Sequence, residues 1–171
     1  GDKEIQSIAV RSLGHSPSLD HFSKLLFYLE CDSTAKAAHE GLSELLSTHS
    51  NFIPKTIDAF VHSTGVLHQR LADVLSYRIE YIIAKLVGYD HDVAKGIIDE
   101  LIRMGHVTEI IEFLKSNKNI ELEAELIAII KPQLQDKALL ARECGLFLPD
   151  ALLEKLGLER LSRSEPDRQE K

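Results

Sequence analysis

The chain has 171 residues, of which 44% are hydrophobic and 27% are charged, and its formal net charge is −7. A chain of this length and composition fits one domain with a sizeable buried core. Both halves are net acidic and no run of Lys or Arg stands out, which disfavours nucleic acid and anionic membrane surfaces as partners because both require a cationic face.

The N-terminal segment predicts three helices. Ile5, Ile8, Ala9 and Leu13 recur at helical spacing, and Gly14 follows as a C-cap. The segment 16–18, Ser-Pro-Ser, is typical of a helix start, and 32–34, Asp-Ser-Thr, separates the second helix from the third. The apolar positions of these two helices are Leu19, Phe22, Leu25, Leu26, Leu29, Ala35, Ala38, Leu42, Leu45 and Leu46.

The remaining chain predicts seven more helices. Pro54 opens the fourth, and the fifth is predicted to be the longest, from about Val66 to Val87, with an apolar face broad enough to be central. Asp90 or Asp92 is predicted to cap the sixth, which ends at Gly105. The last four are predicted over about 107–114, 120–130 and 135–144, with a stop at Gly145, and from Pro149 and Asp150 onwards.

Strand signals are almost absent. No alternating β-branched run and no Asn-Gly or Asp-Gly hairpin turn occurs. The predicted connections are two to five residues long, which favours antiparallel packing of successive helices. The sequence therefore predicts an all-α fold of stacked antiparallel helix pairs, or alternatively an irregular helical bundle. We expect one helical domain over residues 1–161 and a disordered polar tail over 162–171.

An internal repeat links the first and third predicted helices. Ala9 corresponds to Ala38 and Leu13 to Leu42, both at an offset of 29 residues. Residues 17–32 between them begin with Pro, carry paired leucines and end in Asp. This pattern resembles the HEAT repeat family over residues 3–46, although Thr34 and Ala35 stand where that family favours Val and Arg.

The resemblance implies a HEAT/armadillo-like α-solenoid, a right-handed superhelix whose repeats offer an extended surface to other proteins. It implies a scaffold or adaptor function for the chain, as part of a larger protein. Beyond residue 46 no copy of about 30 residues repeats cleanly, so the later helices keep the helical character without a regular repeat.

His91 and Asp92 form the sharpest catalytic candidate. An adjacent His and Asp followed by an apolar residue resembles the HD-domain phosphohydrolases, whose His-Asp pair holds divalent metals. His62, His68 and Asp136 are conceivable further ligands. Here the pair follows a loop instead of ending an apolar helix, so a metal-dependent phosphohydrolase is the alternative function, and we expect no catalytic or metal site.

The other polar clusters predict no chemistry. No two of the eight histidines have the i, i+4 spacing of a helical zinc site. Nucleophile elbows and phosphate-binding glycine motifs are absent from the sequence, so no cofactor is expected. Glu121, Glu123 and Glu125 are spaced by two, which spreads them around a helix; they predict a solvated face, or alternatively an acidic patch for a basic partner.

Cys31 and Cys144 are too far apart in sequence to suggest a disulfide framework or zinc pattern. Both lie beside apolar helical positions, which predicts buried, reduced thiols and a cytoplasmic location. The chain begins with a polar segment at Gly1, without a secretory signal or a membrane-spanning apolar run, and we expect a processed or excised protein. The predicted function is a non-catalytic protein-protein interaction module whose partner is another protein.

Overall fold

The structure, a computed structural model, describes residues 1–88 and 90–162. Every element of regular structure among these residues is a helix, which confirms the all-α prediction. Three short 3-10 helices cover Leu13–His15, Ser50–Phe52 and Lys131–Gln133. The eleven α-helices are α1 Asp2–Ser12, α2 Leu19–Glu30, α3 Ala35–Thr48, α4 Ile53–His62, α5 Gly65–Ser76, α6 Ile79–Ala84, α7 His91–Arg103, α8 Thr108–Ser116, α9 Ile120–Ile130, α10 Ala138–Phe147 and α11 Asp150–Leu156.

The chain divides into two compact units, Gly1–Tyr77 and Arg78 onwards. In the first unit, α1 contacts α3 and α3 contacts α5, while α2 packs against both α3 and α5. In the second unit, α6 contacts α7, α8 and α9, and α8 contacts α10. Helix α9 contacts both α7 and α11. Several alternate helices are therefore neighbours within each unit. The predicted tail, apart from Ser162, lies outside the described residues.

The prediction of one long helix over 66–87 is wrong. Helix α5 ends at Ser76 and α6 begins at Ile79. The buried Ser76 hydroxyl donates to the Asp73 carbonyl oxygen at 2.7 Å, a local bond that competes with helix continuation. The break lies beside the boundary between the two units, so α5 belongs to the first unit and α6 to the second.

Gly14 and Gly41 bring the end of α1 against α3. A Cβ atom built on Gly14 would lie 1.9 Å from the Gly41 carbonyl oxygen, and one on Gly41 would lie 2.9 Å from the Arg11 carbonyl oxygen. The close approach of two backbones, instead of a capping conformation, accounts for these glycines. Val10 is the buried residue of α1, whereas Ile5 and Ile8 on the predicted apolar face are 68% and 62% exposed.

The paired positions of the predicted repeat are buried to different extents. Ala38 and Leu42 are fully buried in α3, whereas Ala9 is exposed and Leu13 half-buried. Helix α1 therefore packs against the rest of the first unit through a different face from the one that carries the periodic apolar residues. Periodicity predicted the helix correctly but not the face that packs.

The predicted helix end at Gly145 is also wrong, because α10 continues to Phe147. Gly145 is buried, and the Leu161 backbone N–H donates to its carbonyl oxygen at 2.9 Å. A Cβ atom at this position would lie 2.8 Å from the Leu161 side chain. This glycine admits the C-terminal segment against α10 instead of ending the helix.

Candidate interaction surface

His91 and Asp92 lie in the first turn of α7. His91 Nδ1 is 3.2 Å from Asp92 Oδ1, and His91 Nε2 is 2.8 Å from Glu125 Oε2 on α9. Hydrogen bonding to Glu125, and secondarily to Asp92, raises the pKa of His91 above its ordinary value. Both ring nitrogens therefore have carboxylate partners, and the arrangement ties α7 to α9.

Asp90 or Asp92 is the predicted cap of α7. Asp90 is the residue before the helix, but its side chain makes no capping hydrogen bond. Its carboxylate lies 3.5 Å from the Lys85 ammonium instead. The first turn of α7 thus receives its acidic complement to the helix dipole from Asp92.

The other conceivable metal ligands have local roles. His62 Nδ1 lies 2.8 Å from the Asp58 carbonyl oxygen at the end of α4. The His68 ring stacks on Phe60 with ring centroids 4.2 Å apart, and Asp136 lies exposed in the turn before α10. Among the described residues, no group of three or more His, Cys, Asp or Glu side chains is arranged to hold a metal ion.

The three glutamates of α9 diverge around the helix, as their spacing predicted. Glu125 meets His91, and Glu123 Oε2 accepts a hydrogen bond from the Lys155 ammonium of α11 at 2.7 Å. Glu121 is exposed. Two of the three carboxylates therefore join α9 to its neighbours. Helical spacing could not predict these contacts, because each partner lies more than 30 residues away in sequence.

Helix α9 is apolar on two sides. Eight of its eleven residues are apolar, more than a helix needs when only one face is buried. One set lies in the core: Leu122, Leu126, Ile129 and Ile130. The other set, here called the outer face of α9, is Ile120, Ala124, Ile127 and Ala128. At about 100° per residue the two sets are centred roughly 160° apart around the helix.

A first groove runs between α9 and α7, with a volume of about 550 Å³. Lys95, Gly96 and Arg103 of α7 line one wall, and Ala128 lies on the other. Gln133 fixes the end of this groove, since its amide donates to Asp99 Oδ1 at 2.8 Å and to the Ile129 carbonyl oxygen at 2.9 Å.

A second groove lies on the other side of α9, with a volume of about 520 Å³. Its floor is the outer face of α9, including Ile120, which is 81% exposed. Lys131 and Lys155 stand at its rim. Because Ala128 lines both grooves, a small-residue ridge separates them.

This surface was not predicted from the sequence. The available signal was the composition of residues 120–130, which is apolar well beyond one helical face. Spacing alone could not reveal which of the two apolar faces would remain open, because that depends on the positions of α7 and α11.

The cysteines offer no reactive group at this surface. Cys144 is fully buried, as predicted, and burial raises the pKa of its thiol to about 12, so the thiolate needed for nucleophilic chemistry is scarce at neutral pH. Cys31 is half-buried, more accessible than predicted, and both cysteines are free.

Comparisons of the chain with protein-family models, with curated proteins and with solved structures give no match. Within residues 1–88 and 90–162, no helix combines the length and apolar character required to cross a membrane. The interpretation of the outer face of α9 and its grooves therefore depends on their geometry alone.

Proposed function

We propose that this protein is a non-catalytic protein-protein interaction module and that the outer face of α9 is its binding surface. The observation that carries the proposal is the second apolar face of α9, which the fold does not use. An apolar helix face flanked by grooves is typical of surfaces that receive a partner. The partner class is protein; the acidic net charge supports the exclusion of nucleic acid.

We further propose that the helices form stacked antiparallel pairs like those of HEAT and armadillo proteins. The support is the order of contacts within each unit, where several helices meet the next but one: α1 meets α3 and α3 meets α5, while α7 meets α9 and α9 meets α11. Two layers of alternate helices produce this order when hairpins stack. Such a stack places the outer faces of α7, α9 and α11 side by side.

The free thiols of Cys31 and Cys144 support a reducing compartment, and we propose the cytoplasm. The proposed role is that of a scaffold or adaptor segment in a larger protein. A metal-dependent phosphohydrolase has less support, because His91 is engaged by Glu125 and Asp92.

The proposal is tested with Ala128→Glu, which places a carboxylate on the ridge between the two grooves. Ala128 is exposed and Glu is a good helix former, so the variant should fold. Ala9→Glu, on the exposed side of α1, is the matched control. Affinity enrichment from an extract of the source organism should retain the same proteins with the wild type and Ala9→Glu and lose them with Ala128→Glu.

An unchanged set of retained proteins with Ala128→Glu would overturn the proposal. Retention of partner proteins that depends on added divalent metal would also overturn it. A rise in melting temperature on adding Mn²⁺ that His91→Gln abolishes would do the same, because either result supports the metal-dependent alternative.

A further inference from the structure

We infer that the outer face of α9 and the two grooves beside it bind an acidic amphipathic helix of a partner protein. This inference rests on the proposed function and specifies the chemistry of its partner. It is carried by three features of the surface: its shape, its apolar floor and the charges at its rims.

The shape fits a helix. Ala128 lines both grooves, and Ala124 lies one helical turn before it in the second groove. These small side chains let another helix approach closely. The grooves on either side, of about 550 and 520 Å³, can take large side chains from that helix. Between Ile120 and Lys131 the surface extends for about 16 Å, which matches roughly three turns of a bound helix.

The charges of the surface select acidic residues. Lys95, Lys131 and Lys137 line the grooves, and within the described residues these three lysines form no ion pair. Five basic and three acidic side chains line the two grooves together. The surface is thus locally positive on a chain whose net charge is −7.

The acidic groups in the groove walls are already engaged. Asp99 accepts a hydrogen bond from Gln133, Glu100 pairs with Arg103, and Glu123 pairs with Lys155. These contacts reduce the negative potential in the grooves, while the three lysines stay available to carboxylates of a ligand. A ligand helix with an apolar face flanked by Asp or Glu would pack its apolar side chains on the groove floor and place its carboxylates beside the lysines at the rims.

The probe is a synthetic peptide of about 15 residues with Leu at i, i+3, i+4 and i+7 and Glu at the flanking positions. A second peptide has Lys in place of every Glu. Binding to the full chain is measured by fluorescence anisotropy at low and high salt. The acidic peptide should bind at least about tenfold more tightly than the basic one, and the difference should shrink with salt because rim charges are screened.

Two charge-reversal variants locate the site. The triple variant Lys95→Glu, Lys131→Glu and Lys137→Glu should weaken binding of the acidic peptide at least about tenfold. The matched control reverses three exposed lysines of the first unit, at positions 3, 36 and 55, and changes the net charge equally. This control should stay within about twofold of the wild type, since distant exposed charges are screened. Circular dichroism verifies that both variants fold.

Three kinds of result would overturn the inference. The first kind would show that net charge alone explains binding: equal weakening by both triple variants, or equally tight binding of a single-stranded RNA oligonucleotide. Another is dimerisation that Ala128→Glu abolishes, which makes a second copy the occupant. The third is loss of cellular partners with Ala128→Glu but not with the groove triple variant; the proposed function would then stand while its acidic-partner chemistry fails.

Discussion

Helices α1 and α9 each bury one face and expose an apolar one, yet they are held in different ways. Helix α1 meets α3 at the backbone contact between Gly14 and Gly41, and its exposed face carries Ile5 and Ile8. Helix α9 is held by a buried apolar face and by side-chain contacts from Glu123 and Glu125 to α11 and α7. Its exposed face lies between two grooves.

This difference separates the exposed apolar face of α1 from the surface of α9 that we propose binds a partner. Beside the outer face of α9 lie two grooves and three lysines that form no ion pair with the described residues, and these features set the shape and charge that an occupant would need. On α1, Arg11 is already paired with Glu40 at 3.1 Å, and the structure gives no equivalent indication of what would cover Ile5 and Ile8. An exposed apolar face therefore indicates a kind of partner only when the shape or charge of its surroundings restricts what can bind there.

The attachment of α1 can be broken by Gly14→Ala. The added Cβ would overlap the Gly41 carbonyl oxygen, and neither backbone can move without separating α1 from α3. We expect the free energy of unfolding to fall by about 4 kcal/mol, near the upper end for one substitution. Urea denaturation followed by circular dichroism measures this change.

Gly96→Ala is the matched control for this variant. Gly96 lies inside α7, and a Cβ atom there has nothing within 4 Å. The same substitution should therefore stabilise the protein by about 0.5–1 kcal/mol through helix propensity. Similar destabilisation at both glycines would mean that the crossing of α1 and α3 is not the cause.

The two faces of α9 can be compared by truncating one residue on each. Leu126 is fully buried, so Leu126→Ala should lower the free energy of unfolding by about 3 kcal/mol through lost burial and a cavity. Ile120 is 81% exposed, so Ile120→Ala should change it by less than about 0.5 kcal/mol. Denaturant midpoints of the two variants test this contrast; a large effect at Ile120 would show that the fold uses the outer face.

Local sequence patterns were sufficient to predict the position of several helices. The bounds of α9, Ile120–Ile130, match the helix predicted over 120–130 from apolar periodicity. In the structure the Asn119 side chain caps this helix by accepting from the Glu121 and Leu122 backbone N–H groups. The break after Ser76 was missed because the apolar spacing continues through it. The two helices differ in the compact unit to which each belongs, and apolar spacing does not show that difference.

The candidate surface depends on contacts that no local pattern encodes. His91 and Glu125 are 34 residues apart, as are Asp99 and Gln133. These pairs position α7 against α9 and so create the first groove. The sequence showed the excess of apolar residues in α9 but could not assign them to a buried and an open side, since burial depends on which helices pack nearby.

The smallest expected effect concerns the polar contact that joins α7 to α9. Because Glu125 and Asp92 raise the pKa of His91, the protonated imidazole is favoured in the folded chain. Its contribution to stability is therefore fully present below the ordinary histidine pKa of about 6.5 and is lost as the pH rises through the folded pKa. Comparing the wild type with His91→Gln by denaturation should give a larger stability difference near about pH 6 than near about pH 9.

Glu125→Gln tests the cause of this pH dependence, because it removes the first carboxylate partner and keeps a hydrogen-bonding side chain. In nuclear magnetic resonance titrations, the pKa of His91 should lie above its ordinary value in the wild type and fall towards it in Glu125→Gln. A pKa unchanged by the substitution would contradict the assignment of Glu125 as the principal partner. Helix α9 would then depend on its buried apolar face for its position beside α7, and the first groove would owe its shape to packing alone.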